Sequence, residues 1–440
     1  MKFGFKLQNK NQQTRMKNFF LLLFTAASLV ACAQKEDDII NTKEVQRIES
    51  VLAADDMRGR RAGSPDIDRA ANFIADEFKK AGLETLQGNS FLQQFSMLRP
   101  KLTSLKYEAN GADADTKNVI VITSEADLKV NEKSGYEMQS VVTGENLFQK
   151  AQTIVRSSKN AVVFVDSSFG QNFPRLMNFK RQMFKSTTNT IFILGSQPKT
   201  FTIKAEHSFD EAKYQNVVGI IPGKSKKNEY VIFSGHYDHL GIARQPMNGD
   251  SIYNGANDDA AGTTAVIMLA NYFKKLNNNE RTIVFAAFTA EEVGGFGSQY
   301  FSRQFDPAQV VAMFNIEMIG TESKWGKNSA YITGYEKTNM GEILQNNLKG
   351  SAFTFHPDPY TDQNLFYRSD NATLARLGVP AHTISTSKMD SEPNYHKVSD
   401  EISTLDLNNM AEIIKAIAMS SGTIISGKDS PTRVKTETLN

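Results

Sequence analysis

The chain holds one cysteine, Cys32, in 440 residues. That excludes an internal disulfide and any thiolate metal site. Formal net charge is only +2, which leaves no electrostatic case for nucleic acid or a polyanionic substrate. There is no His-Glu-x-x-His and no Gly-x-Ser-x-Gly, so neither a one-zinc endopeptidase of that kind nor a serine-hydrolase elbow is supported. The stretch Gly219-Ile-Ile-Pro-Gly223-Lys224 has the wrong spacing for a phosphate loop. No internal repeat occurs. The apolar run at 19–31 is too short to span a bilayer as a helix.

What is present is an ordinary soluble composition, 40% apolar and 22% charged. The length implies two domains, or one domain with an insertion. The run 19–31 follows Lys17 and ends Leu29-Val30-Ala31-Cys32. It reads as a signal segment covering 1–32, and its end resembles the lipobox of bacterial lipoproteins, in which the cysteine carries the lipid. Gln34-Lys35-Glu36-Asp37-Asp38 resembles a surface-export signal of such proteins. The expectation is an exported, lipid-anchored chain at the outer membrane, on its periplasmic or cell-surface face.

A linker is expected at 33–44. From Asp66 onward, Ile67, Ala70, Ala71, Ile74, Ala75 and Phe78 recur at helical spacing, and Gly82 closes the helix. Residues 96–205 are richer in Lys, Ser, Thr and Asn, with strand-like pieces at 118–122, 161–165 and 190–194. They read as an inserted module within a domain formed by 45–95 and 206–425. Strand-like stretches at 216–221 and 230–234 look adjacent, joined by a turn at 223–228. A helix is predicted over 258–276, strands over 282–288, 310–316 and 381–384, and a closing helix over 405–420. Residues 426–440 read as a polar tail. Alternating strands and helices imply an α/β fold with a largely parallel sheet.

The strand at 282–288 is apolar on both faces, yet it runs into Glu291 and Glu292. Other polar clusters stand at matching places: His236 and Asp238 after 230–234, Asp258 and Asp259 at a helix start, Glu317 after 310–316. Ligands of open α/β sheets bind at the carboxyl ends of the strands. Carboxylates gathered in a crevice stay ionised only if cations neutralise them, and carboxylate plus imidazole without thiolate suits Zn²⁺. Two adjacent glutamates can divide the work, one binding metal and the other carrying a proton. Alone, the pair also fits an exposed strand end; the other clusters in register argue against that.

His236-Tyr-Asp238, Asn257-Asp258-Asp259, Ala290-Glu291-Glu292, Asn315-Ile-Glu317 and Tyr395-His396 resemble, in order and spacing, the two-zinc exopeptidases of metallopeptidase family 28, mostly aminopeptidases. The resemblance implies a three-layer α/β/α zinc-exopeptidase fold with a mixed, largely parallel central sheet carrying a strand-containing insertion. It implies two zinc ions per chain and peptide substrates. It implies that His236, Asp258, Glu292, Glu317 and His396 bind metal, with Asp258 bridging and followed by a cis peptide bond. Glu291 would be the general base, Asp238 the carboxylate behind His236, and Tyr395 a hydrogen-bond donor to the tetrahedral intermediate. Arg368 and Asp370 would line the substrate site. Two departures stand out: the family usually has Asp at the place of Glu317, and often His at the place of Asn371.

Other histidines attract plainer readings. His239 pairs with His236 as His-x-x-His, but reads as lining the cleft or standing behind a ligand. His382 reads as core, and His207 and His356 receive no role. Alternatives are a one-zinc glutaminyl cyclase-like enzyme, for which a single tryptophan, Trp325, supplies little aromatic wall, and a non-catalytic binding lipoprotein on the same fold. Replacing Cys32 by Ser is expected to move the chain from the membrane to the soluble fraction, because a diacyl anchor holds where a single acyl chain is marginal. Unchanged membrane partitioning on cell fractionation would contradict the anchor.

Overall fold

In the computed structural model, residues 39–247 and 249–439 are described. Residues 1–32, read above as a signal segment ending at Cys32, and residues 33–38 of the expected linker lie outside the described residues. The chain separates into two compact units, one of residues 1–93 and 215–440 and one of residues 94–214.

In the first unit, helices α1 (Thr42–Leu52), α2 (Ile67–Ala81), α3 (Ala261–Leu276), α4 (Phe296–Ser302), α5 (Asn371–Ala375) and α6 (Leu407–Ser420) surround a sheet. Its strands are β1 (Phe201–Ile221, entering with its last residues), β2 (Lys226–His236), β3 (Arg281–Phe288), β4 (Val310–Ile316), β5 (Ser329–Ile332), β6 (Thr354–Pro357) and β7 (Ala381–Ser385). They lie in the order β6-β5-β7-β4-β2-β3-β1. β2 runs parallel to β3 and β4, and β4 parallel to β7. β1 and β5 meet their neighbours β3 and β7 antiparallel.

Successive strand side chains point to opposite faces, and this explains the unbroken apolar runs. Val231 and Phe233 of β2, with Ile283, Phe285 and Ala287 of β3, enter one core, shared with α1, α2, α3 and α6. Ile232, Val284, Ala286 and Phe288 enter the other, with Phe301 of α4 and Leu374 of α5. The result is a three-layer α/β/α arrangement with a mixed sheet. Phe233 anchors the first core by stacking on Phe273, Phe285 and Phe314 at 5.5, 5.8 and 4.9 Å between ring centroids. Among the described residues, no helix is long and apolar enough to cross a membrane.

The second unit holds its own four-stranded sheet of Val119–Ile122, Thr190–Leu194, Ala161–Val165 and Glu137–Val141, in that order. Leu147–Arg156 packs Leu147, Ala151 and Ile154 with Val163 and Val165 in one of its cores. The chain passes between the units along Leu92–Ala109 and Phe201–Ile221.

Several expectations change. Residues 216–221 and 230–234 are not neighbours, because β3 lies between them. Gly223 steps past the start of β3: its N–H donates to Thr282 Oγ1 at 2.9 Å, and an added Cβ would stand 2.4 Å from the Glu280 carbonyl oxygen. The helix expected from 258 begins at Ala261, preceded by a turn at Ala256–Ala260 in which Asp258 and Asp259 leave helical geometry. The linker ends earlier than expected, since Ile40 is buried and Asn41 caps α1 by accepting from the Glu44 N–H at 3.1 Å. The polar tail is packed as well. Val434 is buried, Arg433 donates to the Val310 carbonyl at 2.8 Å, and buried Arg281 donates to the Asp429 carbonyl at 2.6 Å. A buried guanidinium needs acceptors, and carbonyls supply them whatever side chains surround them.

Candidate metal centre

Because β2, β3 and β4 are parallel, their carboxyl ends share one edge. His236 is level with Phe288, and Ser234 with Asn315, so Glu317 emerges beside His236. Asp258 arrives from the turn before α3, joined to Asp259 by a cis peptide bond. His236 Nε2 stands 3.2 Å from Asp258 Oδ1. His396 Nε2 stands 3.2 Å from both Asp258 Oδ2 and Glu292 Oε2. His239 Nδ1 stands 2.7 Å from Glu292 Oε1. Donor atoms of His236, Asp258 and Glu317 lie within 4.8 Å of one another, and so do those of His239, Asp258 and Glu292. Asp258 belongs to both groups.

These donors fit divalent cations. His236 Nε2, His239 Nδ1, Glu292 Oε1 and Glu317 Oε2 are buried and form no hydrogen bond, although buried polar atoms are ordinarily paired. These imidazole nitrogens and carboxylate oxygens face one another at close range around Asp258. An all-oxygen-and-nitrogen donor set suits zinc.

The electrostatics describe a site with too many acids. Burial pushes the carboxyls of Asp238 and Glu317 up to about 7 and that of Asp370 to about 6. Burial likewise raises Glu291 and Asp259 well above the ordinary carboxylate range. Burial also opposes the charge of Asp258, but the imidazoles of His236 and His396 outweigh it and hold Asp258 low. His239 and His396 do the same for Glu292. Contact with Asp258, then with Glu292, raises His396 to about 10.

The surrounding residues hold these groups in place. Asp238 Oδ1 accepts from the Glu291 N–H at 3.0 Å. His236 Nδ1 is closer to the Asp238 carbonyl, at 3.1 Å, than to its carboxylate, at 3.8 Å. Asp238 thus orients the Glu291 segment with its side chain and the His236 imidazole chiefly with its backbone. Three residues in left-handed backbone conformation flank the donors: Ala290 at φ 59°, Met318 at 52° and His396 at 55°. Such strain costs roughly 1–3 kcal/mol each and persists where a site requires it.

Sequence reading missed the parts that tie the loops together. Asp259 accepts from the N–H groups of His236, Gly262 and Met318 at 3.1, 2.9 and 3.1 Å, joining three loops. Gly262 is needed there, since an added Cβ would meet the Ile316 carbonyl oxygen at 2.1 Å. Asp400 accepts from the N–H groups of Asn257 and Asp258 at 2.9 and 3.0 Å. Fully buried Arg60 donates to the carbonyls of Tyr237, Leu52, Asn254 and Gly255 at 2.8, 2.6, 2.5 and 2.8 Å. The only sequence signal for these roles was a charged residue type, which by itself does not distinguish a clamp from a surface group.

Beside the donors lies a pocket lined by Glu317, Met318, Tyr331, Leu365, Met389 and Tyr395 among others, with exposed Arg368 also on its wall. Asp370, expected on that wall, is instead fully buried with neither carboxylate oxygen hydrogen-bonded. Asn371 is also buried: its amide donates to the carbonyls of Phe366 and Ala381 and accepts from Thr383 Oγ1. His382 Nδ1 donates to the Thr333 carbonyl and its Nε2 pairs with Thr338 Oγ1, each at 2.8 Å, in keeping with a core role.

Residues 216–421 match the model of Peptidase family M28. A "Probable leucine aminopeptidase" of Trichophyton verrucosum (strain HKI 0517) is 29% identical over 221 residues, 48% of this chain and 58% of that protein. "Aminopeptidase YwaD" of Bacillus subtilis (strain 168) is 24% identical over 280 residues, 62% of this chain and 54% of that protein. The chain thus spans a little over half the length of these relatives. Among solved structures, an aminopeptidase from Aneurinibacillus sp. strain AM-1 superposes with TM-score 0.53 at 15% identity, covering 92% of this chain and 98% of that one. A zinc aminopeptidase from Bacillus subtilis gives 0.53 at 16%, covering 91% and 97%. These likenesses establish the fold.

The raised acids carry a consequence for stability. Asp238 and Glu317 at about 7, with Asp370 and Asp400 at about 6, hold more protons in the folded chain than in the unfolded one above about pH 4. Stability therefore falls as pH rises through that window. His396, raised to about 10, adds stability below its ordinary value that is likewise lost with rising pH. The metal-free chain is expected to melt several degrees lower at pH 8 than at pH 5, and zinc is expected to remove most of that difference. Calorimetry of the chelated chain checks this; a melting temperature that rises between those values would contradict it.

Proposed function

We propose that this chain, whose residues 216–421 match the model of Peptidase family M28, is a metal-dependent aminopeptidase of that family that removes N-terminal residues from peptides. The observation that carries the reading is a pair of buried donor groups sharing Asp258, with Glu291 in the same field of charge. His236, Asp258 and Glu317 would hold one zinc ion, and Asp258, Glu292 and His396 the other. Two such ions supply polarisation of the scissile carbonyl and a lowered pKa for the attacking water.

The chain's own residues do the rest. Glu291 is the proton carrier: burial raises its affinity for a proton above that of an ordinary carboxylate, the direction a general base and acid requires. It takes a proton from water and delivers it to the leaving amine. Asp238, by holding the Glu291 N–H, fixes where that carboxylate stands. Tyr395, stacked on His396 with ring centroids 4.0 Å apart, would donate to the developing oxyanion. The excess of carboxylates over imidazoles suits a substrate bearing a free ammonium, which favours chain ends. Trp325 stacks on His356 and is not on the pocket wall, so the single tryptophan supplies no wall for a cyclase-type pocket. The run ending at Cys32 supports placing this activity on a lipid anchor at the outer membrane.

Fluorogenic aminoacyl substrates are expected to be cleaved and their N-blocked counterparts spared. Glu291→Gln is expected to lower kcat by about two to four orders of magnitude while metal content stays at the wild-type level. Near-normal kcat in a folded, metal-loaded Glu291→Gln variant would remove the base assignment, and equal cleavage of blocked substrates would remove the exopeptidase assignment.

A further inference from the structure

We propose that His239 is a metal ligand, the fourth protein donor on the Glu292 side. This rests on the two-metal reading above. His239 stands three residues beyond the end of β2, and its backbone N–H is fixed on the Arg60 carbonyl at 3.2 Å. Its ring is 1% exposed and is seated closely. An added Cβ on Gly255 would lie 2.6 Å from the ring, and Gly255 takes φ 56° there. The His396 ring meets it edge-on at 5.8 Å.

The direction of the ring carries the inference. Nδ1 is 2.7 Å from Glu292 Oε1 and 4.0 Å from Asp258 Oδ2, a close ion-pair approach without the alignment of a hydrogen bond, and Nε2 has no partner. His236 Nε2 has the same character, 3.2 Å from Asp258 Oδ1 and without a hydrogen bond. A buried imidazole whose donor atom lies within 4.8 Å of both carboxylates forms one donor group with them. Co-ligands of one zinc stand at most about 4.2 Å apart, twice a bond of about 2.1 Å. His239 Nδ1 falls within that limit of both carboxylates, as does His396 Nε2 at 3.2 Å from each.

The assignment makes the two sides unequal. Asp258, Glu292, His239 and His396 complete a four-donor nitrogen and oxygen shell, the pattern of a closed site. His236, Asp258 and Glu317 provide three donors, the pattern that keeps a position open for substrate or water. The Glu292 side becomes the tight, permanently held ion, and the His236 side becomes the exchangeable one where chemistry has access.

X-ray absorption of the zinc-loaded full chain counts imidazoles directly and needs no variant. Three histidines over two ions give an average of about 1.5 imidazoles per zinc, whereas two give about 1.0. Zinc titration of the chelated chain is expected to show one tight and one weaker site, with His239→Ala weakening the tight site at least about 100-fold, beyond the range for residues that only support a ligand. If His239→Ala does not fold, His239→Gln keeps the volume and removes the imidazole. An average near 1.0, or both affinities unchanged in a folded His239 variant, overturns the assignment while leaving the two-metal reading intact. A wild-type chain that binds no zinc overturns that reading itself.

Discussion

Mutual repulsion among buried carboxylates is the constraint on which this structure turns. Asp238, Asp258, Asp259, Glu291, Glu292, Glu317 and Asp370 converge on one edge of the sheet, mostly shielded from water. An ionised carboxylate in such surroundings costs several kcal/mol without a partner. Three imidazoles meet part of the excess, and they hold Asp258 and Glu292 in their charged form. The remaining acids are left with raised proton affinity. Divalent cations resolve the conflict by replacing protons with charge that stays in place.

The fold supplies what that conflict requires. Three parallel strands deliver donors from separate segments to one level, and two packed cores make the strands rigid. Asp259, Asp400 and Arg60 then lock the loops by their backbone groups, so the donors approach one another without depending on their mutual attraction. Arg60 also places a buried cation behind the acids, in the field of Glu49, Asp400, Asp238 and Asp259. Positive φ at Ala290, Met318 and His396 shows how much local preference is overridden to aim three loops at one point.

Much of this was legible in the residues. Apolar runs such as 282–288 announce buried strands, and acids placed just after them announce a site, because both patterns are local. Helix α2 was readable from its periodicity and from Gly82, which takes φ 78° as a C-terminal cap. What could not be read depends on distant partners. Sheet order put β3 between two strands that look like a hairpin, since a turn sequence says nothing about which strand fills the gap. The tail looks polar, yet its Asp429 carbonyl and Ser430 hydroxyl both accept from buried Arg281. Asn371 stood out only as a departure from the family pattern, and it is a buried hydrogen-bonding post. His239 was set aside since a second histidine after a strand is compatible with many roles; only the approach of Glu292 and Asp258 gives it one.

The most direct test is the number of protons displaced when zinc binds. Cations that replace protons on Glu291, Glu317 and His396 must release them to solvent. Calorimetric titration of the chelated chain near pH 6, in buffers of different ionisation enthalpy, measures that number. The expected result is binding of about two zinc ions per chain with release of at least about one proton. Zinc binding without proton release, or no binding, would contradict the claim that this acid cluster is built around divalent cations.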